Sequence, residues 1–515
     1  MKRQQLISPG SLSRLIQDAS QSWSVRDYTQ YFELMERAAR MDPANYRILL
    51  DLGAGYGMRY DYPAAERCFD KAVRVAQNKT EALTMAGLHS RNFSRFELAR
   101  RYFESAAEQK DATADTLVKL AEIYERFRLL EDASKLVDRA LQMDSGCLLA
   151  LLVRARLDRL SGRLEEAERL LRPLLARTDA DTWSTRIRGW YEMGSILDRQ
   201  GRYDEAMAAF LAAKELLRPN AAPYIASQKS VHAHLKDAAA HITTDVLRRW
   251  FDTGKDFQPP HRIALLCGHP RSGTTLLEQV LDSHPDIISA EETPIFFQTY
   301  LDLKQGFPDS SGMLKVLESA STGMLQQSRA EYYRCMERFH DNRLGNRLLI
   351  DKNPSLTNLV PAVLRVFPEM KFLLALRDPR DVCLSFFMQP LPLNLVSSSY
   401  LTLQGTTEEY ASLMGIWTAI APRMKNPFIE VRYEEMVEDL ETVSRKVLEF
   451  LDMPWDPRVL RFDEHARQKL VRSPTYSDVT KPVFKGSVGR WRNYQKHLES
   501  WLENLAPYIN GFGYD

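Results

Sequence analysis

Two hydrophobic rhythms divide this chain. In the first, small and large apolar positions recur at a step of 34 residues, from Gly53 to Gly87 to Ala121. The same offsets carry Ala65, Ala99 and Ala133, then Phe69, Phe103 and Val137, then Ala72, Ala106 and Ala140. A further step reaches Ala155, Ala167 and Leu171. After an insertion around residues 178–185 the pattern returns at Trp190, Gly194, Ala206, Phe210 and Ala213. Upstream, Ala38 and Pro43 fit the end of an earlier unit. A fixed period of this length predicts a solenoid with two antiparallel helices per unit. Small residues let the helices cross closely, and large ones fill the gap to the next unit.

From Ile263 onward the rhythm changes to short apolar runs separated by polar turns and helical stretches. The runs are Ile263 to Cys267, Ile287-Ile288, Leu348 to Ile350 and Lys371 to Leu376, and Phe428 to Glu434 reads as a further strand leading into a helix. Such runs, alternating with helices, predict buried strands of a parallel sheet. Between the two regions, residues 219–223 break the array, residues 231–251 read as helical, and Pro259-Pro260 closes the linker. The expected organisation is a repeat array over 1–225, a helical linker over 226–260 and an α/β domain over 261–515.

The first strand of the α/β region runs into Gly268-His269-Pro270-Arg271-Ser272-Gly273-Thr274-Thr275, and a helix with Leu276, Leu277, Val280 and Leu281 on one side follows. Strand, tight loop and helix make a phosphate cradle, in which loop amides and the helix N-terminus point together at an anion. The glycine spacing is that of a P-loop, but Thr274 stands where a nucleotide triphosphatase carries its Lys. That absence argues against phosphoryl transfer from ATP. Arg271 brings a positive charge inside the loop instead, which suits a phosphate with a second anion beside it.

Composition narrows the classes further. A chain of 515 residues holds two or more domains, each able to bury a core. A formal net charge of +1 is no polyelectrolyte signal, so nucleic acid is not an expected partner. The five cysteines are scattered, without a C-x-x-C, which points to a reducing compartment rather than disulfides or zinc. The N-terminus lacks an apolar core segment and no apolar run of membrane length occurs, so neither a signal peptide nor a membrane span is expected. No His/Asp/Glu cluster has metal-ligand spacing, and no metal is expected.

Two family resemblances follow. The 34-residue pattern, over roughly residues 12 to 218, resembles tetratricopeptide arrays. The string Pro270-Arg271-Ser272-Gly273-Thr274-Thr275-Leu276, with Asp282-Ser283-His284-Pro285 and Glu291-Glu292-Thr293, resembles the sulfotransferase family, on the side of its tyrosylprotein branch. The resemblance implies a three-layer, P-loop-like α/β sulfotransferase domain with a parallel sheet. It also implies a donor, 3′-phosphoadenosine 5′-phosphosulfate (PAPS), whose sulfuryl group passes to an acceptor hydroxyl by in-line displacement.

By the same resemblance Glu292 is the catalytic base; its competing use is a solvated loop or a helix cap. Lys352, in Asp351-Lys352-Asn353-Pro354, stabilises charge on the leaving oxygen, with Arg271 beside it. Ser272, Gly273, Thr274 and Thr275 hold the 5′-phosphate. Arg377, opening Arg377-Asp378-Pro379, and Ser385, eight residues on, hold the 3′-phosphate. The competing use of Arg377 is an ion pair with Asp378 or Asp381. Tyr433 lies near the nucleotide base or packs as a core aromatic. Lys485-Gly486-Ser487-Val488-Gly489-Arg490-Trp491 resembles a third family motif, a loop that wraps the 3′-phosphate. Phe484 stands where that motif usually has Arg, and Arg490 and Arg492 are the nearby candidates to replace it.

Animal tyrosylprotein sulfotransferases are membrane-anchored and disulfide-bonded. This chain departs from them and reads as cytoplasmic. The acceptor is a peptide or protein, a protein tyrosine among them, or a small hydroxyl compound. Arrays of this kind bind a protein or peptide in their groove or form homodimers, and Tyr56, Tyr124, Arg154 and Arg156 are groove candidates with structural roles as the alternative. Two rival functions are a non-catalytic tetratricopeptide adaptor with a nucleotide-binding domain and a P-loop kinase.

Overall fold

The protein is described by a computed structural model covering residues 9–257, 262–308, 311–468 and 485–514. It forms two compact units that meet in sequence between Leu170 and Leu171.

The first unit consists of paired antiparallel helices that repeat at the 34-residue step. Helix Tyr46–Met58 packs on Tyr62–Val75, Lys79–Asn92 on Phe96–Ala107, and Ala114–Arg126 on Leu130–Met143. The repeated small residue has a packing cause. A Cβ on Gly53 would meet the Phe69 ring at 2.5 Å, and one on Gly87 would meet Phe103 at 2.8 Å. Side-chain caps start several helices: Asp27, Asp61, Asn78 and Thr113 accept from the amides of Gln30, Ala64, Glu81 and Thr116. The groove candidates of the sequence are used between helices. Tyr56 donates to Glu36 at 2.7 Å and Tyr124 to Glu104 at 2.8 Å. Arg154 reaches Ser134 and Asp138, and Arg156 lies 3.6 Å from Glu125.

The second unit opens with the hairpin Trp183–Arg199 and Tyr203–Leu217, where Gly194 repeats the close approach to Phe210. Residues 231–251, which read as helical, lie on two helices, Ala222–His241 and Thr244–Gly254. The Thr243 hydroxyl accepts from the Val246 amide and starts the second helix afresh.

The sheet has five strands: β1 (Ile263–Gly268), β2 (Ile287–Glu291), β3 (Leu348–Lys352), β4 (Lys371–Leu376) and β5 (Phe428–Arg432). Their order is β2-β3-β1-β4-β5, and every pairing is parallel. Helices cover both faces. On one, Leu277, Val280, Leu281, Val447 and Leu448 close over Ala264, Leu266, Ile350 and Leu373. On the other, Trp417 meets Phe372 and Tyr332 meets Phe367. This burial on both faces explains why β1 and β4 read as continuous apolar runs. The register brings Leu266 of β1 and Glu291 of β2 opposite Lys352 of β3. The polar strand ends therefore share one edge, where open α/β sheets place their ligands.

Candidate active site

The loop after β1 is shaped by two glycines. Gly268 has φ 127° and would drive a Cβ to 2.4 Å from the Ala375 carbonyl oxygen. Gly273 has φ 92°, and a Cβ there would meet the Tyr433 ring at 2.7 Å. Arg271, with φ 77°, takes the left-handed conformation without being glycine. The loop is also tied from below. The Thr357 hydroxyl accepts from the Gly268 amide at 2.9 Å and donates to the Gly268 carbonyl at 2.7 Å. The Ser272 hydroxyl donates to the His269 carbonyl at 2.7 Å. Helix Thr274–Asp282 starts directly from Gly273, so its first amides face the loop mouth.

Next to this loop stands a cationic cluster drawn from four parts of the chain. Arg271 Nε donates to Ser385 Oγ at 3.1 Å, joining the loop to helix Pro379–Phe387. Arg377, at the end of β4, donates to the Arg271 carbonyl at 3.3 Å and to the Ser487 carbonyl. Its guanidinium lies 5.0 Å from the centre of the Tyr433 ring. Arg377 also stands 3.8 Å from Asp381, so the ion pair named as its competing use is present beside these contacts. Asp381 is buried. Burial pushes its carboxyl up, while Arg377 and two amides pull it down. Those amides belong to Gly489 and Trp491, at 2.7 and 2.8 Å. Gly486 and Ser487 lie in the turn Lys485–Ser487. The Lys485 side chain and Phe484 lie outside the described residues. Arg490 pairs with Asp198 at 2.5 Å, and Arg492 lies over the Trp491 ring at 5.2 Å.

On the opposite side of β1, the fully buried Lys352 ammonium is ringed by carboxylates. Glu292 Oε1 is 2.8 Å from Nζ, Glu291 3.6 Å and Glu278 3.8 Å. Burial opposes the charge on Lys352, but the three carboxylates outweigh it and hold the ammonium above its ordinary range. Glu278 and Glu291 are buried, whereas the Glu292 side chain is 42% exposed and faces outward. Glu292 has φ 48°, another left-handed non-glycine. Its amide donates to the Lys352 carbonyl at 2.7 Å, and Asn353 Nδ2 donates to the Thr293 carbonyl at 2.9 Å. The strand ends thus fix both the ammonium and the accessible carboxylate next to the anion loop.

Residues 264–457 match the sulfotransferase family. Over this stretch the chain is similar to sulfotransferases. A protein-tyrosine sulfotransferase of Drosophila melanogaster is 27% identical over 265 residues, which is 48% of this chain and 50% of that protein. An uncharacterized protein of Aquifex aeolicus is 26% identical over 332 residues, 62% of this chain and 41% of its own length. The chain thus spans half or less of these two relatives. Among solved structures, the sulfotransferase domain of a Synechococcus olefin synthase is 24% identical, with a TM-score of 0.32, over 46% of this chain and 89% of that one.

Several polar residues of the second unit escaped the sequence reading. Glu278 sits among Leu277, Val280 and Leu281 on the loop helix, and the apolar pattern drew attention only to its neighbours. A carboxylate inside an apolar helix face was the available signal, since a buried charge needs a partner. Asp381 was read only as an ion-pair partner of Arg377; its hold on the Gly489 and Trp491 amides, and the role of Asp198, carried no such signal, because those partners come from the C-terminal segment. Asp351, beside Lys352 on β3, accepts from the Tyr332 hydroxyl at 2.8 Å, and burial pushes its carboxyl up to about 7. His269 is buried with its Nδ1 2.7 Å from the Pro270 carbonyl oxygen, and burial pushes the imidazole down to about 4. No helix among the described residues is long and apolar enough to cross a membrane, and none of them form a group of His, Cys, Asp or Glu that could hold a metal ion.

Proposed function

We propose that the second unit transfers a sulfuryl group from PAPS to an acceptor hydroxyl. The observation that carries this reading is the Lys352–Glu292 pair at 2.8 Å, with a buried ammonium and an outward carboxylate, at the sheet edge that also presents the phosphate loop. A base and a cation for a leaving group, preorganised side by side, are what sulfuryl transfer to a hydroxyl asks of a protein.

The residues fit a donor with two phosphates. Ser272, Gly273, Thr274 and Thr275, at the start of their helix, hold the 5′-phosphate. Arg377, Ser385, Lys485, Gly486 and Ser487 hold the 3′-phosphate, a bidentate guanidinium contact being the strongest of these. Tyr433, beneath the Arg377 guanidinium and against Gly273, borders the nucleotide. Bound PAPS supplies a sulfuryl group on a phosphate leaving group. Glu292 accepts the acceptor's proton while the acceptor oxygen bonds to sulfur and the bond from sulfur to the bridging oxygen breaks. Lys352 and Arg271 neutralise the charge left on the phosphate.

The acceptor class to test first is a tyrosyl peptide. The names of the Drosophila relative and of a protein-tyrosine sulfotransferase 1 of Homo sapiens, 26% identical over 310 residues, support that choice. A peptide or protein in the helical array is the corresponding partner. Calorimetric binding of adenosine 3′,5′-diphosphate against ATP, without magnesium, tests the donor. Tight diphosphate binding with weak ATP binding is expected. Preference for ATP overturns the reading in favour of a kinase. Diphosphate binding without transfer from labelled PAPS to any tyrosyl peptide, phenol or saccharide leaves the adaptor.

A further inference from the structure

The turn Lys485–Ser487 and the residues after it are held from two sides. On the sheet side, Arg377 binds the Ser487 carbonyl, and Asp381 binds the amides of Gly489 and Trp491. On the other side, the same segment runs onto the hairpin Trp183–Arg199 and Tyr203–Leu217. Asp198 takes both Arg490, at 2.5 Å, and the Tyr494 hydroxyl, at 2.7 Å. Tyr203 meets Tyr494 edge-on at 5.3 Å, and Asp204 accepts from Lys496 and lies 3.0 Å from His497. Short 3-10 turns have weak internal hydrogen bonding, so their position depends on such outside partners.

The hairpin is itself pinned to the α/β domain. Lys214, 3% exposed, donates from Nζ to the Tyr400 carbonyl at 2.6 Å and lies 4.2 Å from the centre of the Phe387 ring. Phe387 belongs to the helix that carries Ser385 and Asp381. These contacts link the hairpin that carries Asp198 to the helix behind the cationic cluster. Arg490 is consequently an anchor for the segment. Its guanidinium is directed to Asp198, and burial, which opposes its charge, is outweighed by that carboxylate.

We infer that this last helical hairpin anchors the segment 485–491, with Asp198 as a positioning residue for the loop that receives the 3′-phosphate. The role of the loop rests on the sulfotransferase reading; the anchoring does not. Removing Asp198 takes the carboxylate from Arg490 and Tyr494 together, so the loop loses the nearest part of its downstream attachment, Tyr203 and Asp204 holding the residues beyond, while the 5′-phosphate loop keeps its own ties to Thr357.

The test uses the full chain and two nucleotides. In Asp198→Ala, calorimetric affinity for adenosine 3′,5′-diphosphate falls about tenfold, the loss expected when a charge-assisted network goes. Affinity for 5′-AMP stays within about twofold, and Asp198→Asn, which keeps an acceptor for Tyr494, falls between. Without nucleotide, hydrogen exchange at the Gly489 and Trp491 amides speeds up at least about fivefold, while the helix Pro379–Phe387 keeps its protection. Unchanged exchange at those amides overturns the anchoring. Equal loss for both nucleotides overturns the positioning role in favour of general destabilisation. If the wild-type chain does not distinguish the diphosphate from 5′-AMP, the 3′-phosphate reading falls, and the exchange measurement alone decides the anchoring.

Discussion

The helical array and the α/β domain join their polar residues over very different distances in sequence. In the array, Tyr56 reaches Glu36 and Tyr124 reaches Glu104, each across 20 positions, the second pair repeating the geometry of the first, two repeats later. In the candidate site, Lys352 reaches Glu292 across 60 positions, Arg377 reaches Ser487 across 110, and Arg271 reaches Ser385 across 114. The array is a sum of neighbour contacts, so damage to one unit stays near that unit. The site exists only where several strand ends converge, so its chemistry depends on their conjunction. Local contacts make the array robust, and distant ones make the site specific.

The sharpest way to expose that difference is at Glu292. Glu292→Gln keeps an acceptor for Lys352 but no base, and single-turnover transfer from labelled PAPS is expected to fall about a thousandfold. Diphosphate affinity should hold within about twofold, and wild-type turnover in this variant removes Glu292 from the base role. At a core position of the array, Phe69→Ala should lower stability by about 4 kcal/mol in thermal unfolding, through the cavity left beside Gly53. If the contrast is right, nucleotide affinity in that variant is unchanged.

A third probe concerns pH. The Asp351 carboxyl is pushed up to about 7 by burial, partly countered by the Tyr332 hydroxyl. Between about pH 4 and pH 7 the folded chain keeps a proton there that the unfolded chain has released. Stability from this group is therefore present at low pH and lost as pH rises through that window. Asp351→Asn should flatten the profile of denaturant stability against pH, and above pH 7 it should be the more stable chain by on the order of 3 kcal/mol. A variant that retains the parent slope shows the proton resides elsewhere. The smallest effect is at a helix cap. Asp61→Ala, which removes the acceptor for the Ala64 amide, should cost about 1 kcal/mol without touching the site.

Legibility followed the same division. The run Lys371 to Leu376 is a strand with those very ends, and Gly53, Gly87 and Gly194 meet the aromatics that the repeat spacing pairs with them. The break at Thr243 was missed because a hydroxyl cap competes with an apolar rhythm that continues across it. Periodicity marks the repeats as far as residue 218, whereas packing groups the last hairpin with the α/β unit. These are different boundaries, one set by repetition and one by contact.

By itself the sequence determined the helical repeat, the five strands and the glycine loop, because periodicity, β-branched and apolar runs and positive-φ positions are written in adjacent residues. Only the tertiary structure decided that Glu278 and Glu291 join Glu292 around Lys352, that Asp381 holds the backbone of the C-terminal segment, and that Arg490 turns to Asp198. The reason is physical. A helix or strand is chosen by neighbours a few residues away, but a buried charge is satisfied by whichever opposite charge the fold brings within a few ångströms, and that depends on strand order and crossover, which no local pattern encodes.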